Sequence, residues 1–156
     1  ADFLDGDVID PALAERLVEE TVTRFGRIDI LVNNAGIVHR GTVLETSDAD
    51  FVRVMAVNVE AVFRFSRAAV RRMTAQFEQD GRGGDNVTHA SDWAFVAGRG
   101  ERAYCTKKGA VVPMTQEPTA PLRLPIVHVE GSEKSLDQIG VWAIRPVVAM
   151  TKSTAE

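Results

Sequence analysis

Cysteine and tyrosine each occur once in this sequence of 156 residues, as Cys105 and Tyr104. A single cysteine excludes an internal disulfide framework and is typical of a reducing compartment, so we expect a cytoplasmic protein. The three histidines, His39, His89 and His128, do not have the spacing of metal ligands. The sequence therefore predicts a fold without a disulfide and a function without a metal.

Long apolar runs and long basic runs are also missing. No apolar run approaches the ~18–20 residues of a membrane-spanning helix, and three acidic side chains among the first seven residues do not fit a signal peptide. The formal net charge is −4, whereas a nucleic-acid-binding face needs clustered lysine and arginine. We therefore predict one domain over residues 1–156 that binds neither a membrane nor nucleic acid.

Helix-like and strand-like segments alternate along much of the chain. An amphipathic segment that begins at Pro11 ends before Gly26, a branched apolar run follows, and Ser47 precedes a longer helical pattern. The predicted helices cover residues 11–25, 48–73 and 103–112, and the predicted strands cover residues 28–32, 87–91 and 141–144. This alternation is typical of a parallel α/β sheet.

Four prolines between Pro113 and Pro125 interrupt this pattern. Proline inside a helix costs ~3 kcal/mol or more. A helix that begins at Ala103 should therefore end near Val112 or kink there. The polar segment Gly131–Gln138 predicts a loop.

Two polar segments follow predicted strands. Asn33–Gly36, with the sequence NNAG, comes after the first strand, and Ser91 ends the second. Because ligands bind beyond the carboxyl ends of the strands in such sheets, we expect both segments at one binding rim. Small residues there would let a flat ligand approach the backbone. The alternative for each segment is an ordinary turn, for which asparagine, glycine and serine are usual residues.

Tyr104 has lysines three and four residues after it, at Lys107 and Lys108. On a helix these positions share one face with the tyrosine. A free phenol has a pKa of ~10, but a nearby cation favours the phenolate, so such a phenol can exchange a proton near neutral pH. Ser91 lies thirteen residues upstream and could hold a carbonyl oxygen while the phenol protonates it. The alternative is an exposed helix face without a chemical role.

Taken together, these residues resemble the short-chain dehydrogenase/reductase family. The resemblance rests on NNAG at Asn33–Gly36, on Ser91 upstream of Tyr104, and on the Tyr-x-x-x-Lys pattern that ends at Lys108. It implies a Rossmann-like doubly wound parallel sheet in three α/β/α layers. It also implies a homodimer or homotetramer that acts on a small alcohol or carbonyl substrate.

Three further segments carry the same resemblance. DVID, Asp7–Asp10, is similar to the family's aspartate segment that meets the adenine ring. VNVEAVF, Val57–Phe63, is similar to the helix segment that carries a fourth catalytic residue, here Asn58. IGVWAIRP, Ile139–Pro146, is similar to the strand that leads to a loop beside the nicotinamide.

The resemblance assigns roles to individual residues. By it, Tyr104 is the general acid/base and Ser91 orients the substrate oxygen. Lys108 would hold the nicotinamide ribose and favour the ionised phenol, and Asn58 would keep a water in the proton relay. Trp93, two residues after Ser91, could line the substrate pocket or belong to the core or the rim. The implied cofactor-binding residues are Asp7, Val8, Asn33, Asn34, Ala35, Gly36, Tyr104, Lys108, Pro146, Val147, Val148 and Thr151.

The function implied by the resemblance is hydride transfer between NAD or NADP and an alcohol or ketone. The family's N-terminal glycine-rich segment and its C-terminal end are not present in this sequence, and residues 113–138 match the family pattern poorly. We therefore expect a chain that is partial relative to the family. The alternative function is that of a non-catalytic fragment or pseudo-enzyme that acts through subunit contacts.

Overall fold

The computed structural model describes residues 2–91, 106, 109–111, 114, 127–130 and 147–149. In chain order its elements are helix α1 (Leu13–Phe25), strand β1 (Ile30–Asn33), helix α2 (Asp48–Met55), a π-helical segment (Ala56–Glu60), helix α3 (Ala61–Asp80), and strands β2 (Asp85–Ser91), β3 (Val127–Glu130) and β4 (Val147–Ala149). Helix and strand thus alternate through the first ninety residues, as the sequence predicts.

Helix α1 begins two residues later than predicted and ends where predicted. Pro11 and Ala12 lie in a turn before the helix, and the Asp10 carboxylate accepts a hydrogen bond of 2.9 Å from the Ala12 N–H. At the other end Gly26 adopts φ 82°, the left-handed conformation that ends many helices. The buried face of α1 consists of Leu13, Ala14, Leu17, Val18 and Thr21.

The second predicted helix is present, but a wider turn interrupts it. The Ser47 hydroxyl accepts a hydrogen bond of 3.1 Å from the Asp50 N–H, which confirms the predicted N-terminal cap. The helical segments α2, Ala56–Glu60 and α3 then follow one another without a gap. Gly81, at φ 71°, ends α3. The helical run begins where predicted but ends at Asp80, seven residues beyond the predicted end, and the sequence pattern does not predict the π-helical segment within it.

All the described strands run parallel, in the order β3-β2-β1-β4. This confirms the predicted parallel α/β sheet. The sequence does not predict β3, because proline-rich sequence precedes its short run VHVE. The predicted strand at residues 141–144 lies outside the described part of the chain.

Strand β4 contains two of the residues that the resemblance names as cofactor-binding. Val147 and Val148 were expected in a loop beyond Pro146, but they lie in a strand and pair with Ile30 and Leu31 of β1. A branched residue favours a strand over a tight loop, and the edge of β1 supplies the backbone partner. These two valines therefore lie beside the first half of β1, before it reaches the asparagines at its carboxyl end.

One face of the sheet is covered by α1 and α3, which share a core with β1. Leu31, Phe65, Ala69 and Met73 are each at most 1% exposed, and they belong to one buried cluster with the apolar face of α1. Burying a leucine or phenylalanine side chain contributes about 1.5–3 kcal/mol each. The helices expected on the other face of the sheet consist mostly of residues outside the described part of the chain.

The predicted helix around Tyr104 is described at four positions within its range and at one position beyond it. Thr106 and Gly109–Val111 are helical, and so is Met114, which lies beyond Pro113. Helical conformation is therefore found on both sides of the proline, while the predicted end near Val112 concerns residues outside the described part of the chain. The other expected outcome, a kink at Pro113, concerns a residue outside the described set.

A group of ion pairs links the residues that precede β1 to those that precede β2, at the amino end of the sheet. Asp80, the last residue of α3, accepts hydrogen bonds from the Arg82 N–H at 2.8 Å and from Arg27 Nη1 at 2.7 Å. The hydrogen bond from the Arg82 backbone, with smaller contributions from the Arg82 and Arg27 side chains, lowers the pKa of Asp80 from 3.8 to about 2. Its carboxylate therefore stabilises the fold above pH 3.8, and this contribution is lost as the pH falls towards 2.

We expect the substitution Asp80→Asn to lower the melting temperature slightly at pH 7, since exposed ion pairs contribute little. The difference from the unmodified protein should shrink between pH 4 and pH 2, because the native carboxylate becomes protonated there. Thermal unfolding followed by circular dichroism across this pH range measures the difference in melting temperature. Glu78→Gln, at an exposed position on the same helix, is the control. A difference that stays constant down to pH 2 would contradict the prediction.

Candidate active site at the carboxyl ends of the strands

Asn33 ends β1 within a buried polar network under α3. Its Nδ2 lies 3.0 Å from Asn86 Oδ1, 3.2 Å from Ser66 Oγ and 3.3 Å from Thr88 Oγ1. Its Oδ1 is buried and has no hydrogen-bond partner among the described residues. A carboxamide nitrogen has two protons, so it can donate to two of these three oxygens at a time. The network fixes the end of β1 at the start of NNAG.

The residues after Asn33 are held by Asn58, which the resemblance names as catalytic. Asn58 is 7% exposed. Its Oδ1 accepts from the Ile37 N–H at 3.0 Å, and its Nδ2 donates to the Ile37 carbonyl at 3.1 Å and to the Val54 carbonyl at 2.8 Å. The side chain thus pairs with the backbone of Ile37 as a neighbouring strand would.

Gly36 lies against the same carboxamide. A Cβ atom at this position would lie 2.7 Å from Asn58 Oδ1, which is closer than Cβ atoms approach other atoms in proteins. Because three hydrogen bonds hold Asn58, its side chain cannot move away without losing them. The glycine of NNAG is therefore required by the close approach of this loop to the helix.

Asn58 lies in the π-helical segment Ala56–Glu60. A π turn shifts the backbone hydrogen bonds by one residue, and such turns are frequent at functional sites. Here the Asn58 side chain donates to the carbonyl four residues before it, where an α-helix would use a backbone N–H. The π-helical turn and the hydrogen bonds to Ile37 therefore both involve Asn58.

Gln76 makes the corresponding contact at the other end of β1. Its Oε1 accepts from the Ile28 N–H at 2.9 Å and its Nε2 donates to the Ile28 carbonyl at 2.8 Å. Gln76 is 5% exposed. Two carboxamides from one helical run thus hold the residues before and after β1, which fixes the position of NNAG.

The DVID segment forms a turn beside NNAG. The Asp10 N–H donates to the Asp7 carbonyl at 2.9 Å, and the Ile9 N–H donates to Asp7 Oδ1 at 3.1 Å. One oxygen of the Asp7 carboxylate is therefore used inside the turn. Val8, between these residues, is half-buried and faces a cleft.

This cleft joins the DVID turn, NNAG and the π-helical segment. It is shallow, open on one side, and lined by Val8, Asn33, Ala35, Val57, Ala61 and Val62. Five of these six side chains are small or branched and apolar, a lining suited to the face of a flat ring. The sequence-predicted residues Val8, Asn33 and Ala35 are thus brought together. Asn34 is exposed in the same loop.

Ser91 is the last residue of β2 and pairs with Glu130 of β3. Since β1 and β2 run parallel and pair Asn33 with Thr88, both polar segments lie at the carboxyl end of the sheet, as expected. The side chain of Ser91 is outside the described part. The predicted site residues that lie outside it entirely are Trp93, Tyr104, Lys108, Pro146 and Thr151.

Sequence reasoning missed the residues that support the site. Asn86 and Thr88 alternate along β2, and this period of two could have identified them as one polar face of a buried strand. Val57 and Ala61, which line the cleft, lie four residues apart on one helical face. No pattern in the sequence around Gln76 predicts its contact with Ile28, 48 residues away.

Among the described residues, no three histidine, cysteine, aspartate or glutamate side chains are grouped so that they could hold a metal ion. Within the same part of the chain, no helix is both long and apolar enough to cross a membrane.

Comparisons with known proteins agree with this geometry. The family model described as short chain dehydrogenase matches residues 1–131. The chain is 43% identical over 117 residues to an uncharacterised oxidoreductase of Thermotoga maritima, covering 74% of this chain and 43% of that protein. It is 37% identical to a 2-dehydro-3-deoxy-D-gluconate 5-dehydrogenase of Dickeya dadantii, covering 98% of this chain and 54% of the relative.

A solved structure gives the same result. The crystal structure of a gluconate 5-dehydrogenase from Burkholderia cenocepacia, in complex with NADP and tartrate, superposes with a TM-score of 0.64 and 33% identity, covering 70% of this chain and 41% of that one. The chain spans about half the length of the curated relatives it matches. The parallel Rossmann-type sheet, the NNAG loop and the family match together show that this chain belongs to the short-chain dehydrogenase/reductase family.

Proposed function

We propose that this protein is an NAD(P)-dependent oxidoreductase that interconverts an alcohol and a ketone. The observation that carries the proposal is the apolar cleft between Val8 and Ala35, beside a loop held at Gly36 against Asn58. Its position at the carboxyl end of a parallel sheet is where α/β folds bind their ligands. The solved relative named above is a dehydrogenase in complex with NADP, which supports this class of cofactor.

The described residues fit the adenosine half of such a cofactor. The apolar side chains of Val8, Ala35 and Val57 would contact the faces of the adenine ring, and the backbone of NNAG would lie against the ribose. The absence of a Cβ at Gly36 keeps this backbone close to the helix. Asp7 and Asn34, both exposed, would contact the rim of the same site. When bound, the nicotinamide supplies or accepts the hydride.

The proton-transfer residues we propose are Tyr104, Ser91 and Lys108. The Tyr104 hydroxyl would give a proton to the carbonyl oxygen during reduction, or take it from the alcohol during oxidation. The Ser91 hydroxyl would donate to the same oxygen and orient it. Lys108, four residues after Tyr104, would favour the ionised phenol and donate to the nicotinamide ribose. Trp93 would line the substrate pocket next to Ser91.

Asn58 has a narrower role in this proposal than the resemblance implies. Both protons of its Nδ2 are already donated, to the carbonyls of Ile37 and Val54. A water held by the side chain could only donate to Oδ1, which also accepts from Ile37. We therefore propose that Asn58 acts mainly by holding the loop after Gly36 in place, and that any water it keeps is bound through oxygen.

The substrate we propose carries a secondary hydroxyl or a ketone among further hydroxyl groups. Two similar proteins are described as dehydrogenases of gluconate-type sugar acids, and another is described as a sorbitol dehydrogenase. We also propose a cytoplasmic homodimer or homotetramer. Val52 and Phe63, which are 64% and 49% exposed, give the helical run an outward apolar face that supports subunit contact.

Absorbance at 340 nm tests the proposed function. The purified protein should reduce NAD or NADP with a panel of sugar acids, polyols and simple secondary alcohols, and calorimetry should detect binding of NADH or NADPH without any substrate. Cofactor binding without turnover would support the cofactor site but contradict the oxidoreductase activity. Absence of both signals would contradict the whole proposal and favour a non-catalytic member that acts through subunit contacts.

A further inference from the structure

Arg64 connects the helical run to the DVID turn. Its Nη1 donates a hydrogen bond of 2.9 Å to the carbonyl of Ile9, 55 residues earlier in the chain. Its Nη2 donates to the Glu60 carboxylate one turn earlier on the helix. The Arg64 side chain is only 21% exposed, although both of its partners lie near the surface. A guanidinium donates in a fixed fork, so two simultaneous partners hold it in one place.

This contact adds a hydrogen bond between the turn and α3, beside the packing of Val8 against the buried cluster. On its α1 side the turn is closed locally, by the hydrogen bonds within Asp7–Asp10 and by the Asp10 carboxylate on the Ala12 N–H. None of these bonds ties the turn to α3, where Ala61 and Val62 form the opposite wall of the cleft. The donation from Arg64 to Ile9 does so directly, next to Val8.

We propose that Arg64 is a positioning residue for the adenine half of the cofactor. It acts through the DVID turn, by keeping Val8 at the distance from Ala61 that admits a flat ring. The inference rests on the proposed cofactor site and adds to it a residue that touches neither substrate nor cofactor. Loss of the Arg64 side chain should widen the cleft at its adenine end and leave the substrate end, around Ser91, unchanged.

The test is the substitution Arg64→Met, which keeps the apolar stem and removes the donors. ADP-ribose is the probe, because it carries the adenine half and lacks the nicotinamide. Calorimetry should show about 5–10-fold weaker binding of ADP-ribose, the size expected for one lost charge-assisted hydrogen bond. The KM for the cofactor should rise by a similar factor, while kcat at saturating cofactor stays unchanged. Arg64→Lys should recover part of the affinity.

Arg24→Met is the matched control. Arg24 also pairs with a glutamate four residues before it, Glu20, at 2.7 Å on an exposed helix face, but it does not contact the DVID turn. The two variants should have similar melting temperatures, and only Arg64→Met should lose affinity for ADP-ribose. Equal affinity in both variants would overturn the inference. So would a fall in both kcat and melting temperature for Arg64→Met alone, because that result indicates a general structural role.

The failure of this inference can be told from the failure of the proposed function. If the unmodified protein binds neither NADH, NADPH nor ADP-ribose, the cofactor site itself is wrong and the role of Arg64 falls with it. If the unmodified protein binds and turns over the cofactor but Arg64→Met binds ADP-ribose normally, the proposed function stands and this inference alone is wrong.

Discussion

Replacement of Asn58 by leucine is expected to lower the free energy of unfolding by about 3 kcal/mol, because three hydrogen bonds to buried or half-buried backbone groups are lost together. Leucine has a similar shape but can neither accept from the Ile37 N–H nor donate to the carbonyls of Ile37 and Val54. Urea denaturation measures the change. The dependence on urea concentration should stay the same, since the surface exposed on unfolding is unchanged.

Gln76→Leu is the matched comparison for this prediction. It removes the same kind of double contact, from Ile28 at the other end of β1, and should destabilise the protein by a similar order. Only Asn58→Leu should also weaken the binding of NADH or NADPH, because Asn58 holds the loop after Gly36 and Gln76 lies at the opposite end of the strand. Equal cofactor affinity in the two variants would contradict the role we give to Asn58.

The local features of this fold could be predicted from the sequence because their causes are local. The apolar spacing of α1, the left-handed Gly26 at its end and the Ser47 cap each depend on residues within one or two turns. The start of α1 was predicted two residues early, because proline tolerates a turn as well as a first helical position. The apolar pattern and the capping residues together suffice to predict helices of this kind.

Features that depend on distant partners could not be predicted in the same way. The π-helical segment is associated with a contact between Asn58 and Ile37, 21 residues apart. Strand β4 forms because β1 offers it an edge, and that pairing carries Val147 and Val148 away from the loop in which they were expected. The π-helical segment has no signal in the residues next to it, and the branched side chains of Val147 and Val148 favour a strand without identifying its partner.

The candidate site also combines features with local causes and features that depend on distant partners. The sequence predicts the NNAG motif and the DVID segment as binding elements, and the structure brings Val8, Asn33 and Ala35 to one cleft. The groups that hold those elements, Gln76 and Arg64, were not recognised because each contacts the backbone of a residue about 50 positions away. A hydrogen bond to a backbone group places no requirement on the side chain of the contacted residue, so no sequence motif indicates it.

Replacement of Tyr104 by phenylalanine is expected to lower kcat by about 10²–10⁴-fold, the usual contribution of general acid/base catalysis. The change removes one oxygen and keeps the ring, so circular dichroism and the melting temperature should be nearly unchanged. Binding of NADH or NADPH should also be retained, since other residues line the cleft that we propose for the adenine ring. Turnover of this variant at the rate of the unmodified protein would exclude Tyr104 as the proton donor.

The two adjacent lysines give this prediction its control. Lys108 lies four residues after Tyr104 and Lys107 lies three, so a helix places both near the phenol, but the family pattern assigns the role to Lys108 alone. Lys108→Met should lower kcat and move the pH at which oxidation becomes fast to higher values, because a cation favours the ionised phenol. Lys107→Met should do neither. If Lys107→Met shifts the pH–rate profile and Lys108→Met does not, the assignment of the two lysines must be exchanged, while the role of Tyr104 as proton donor remains.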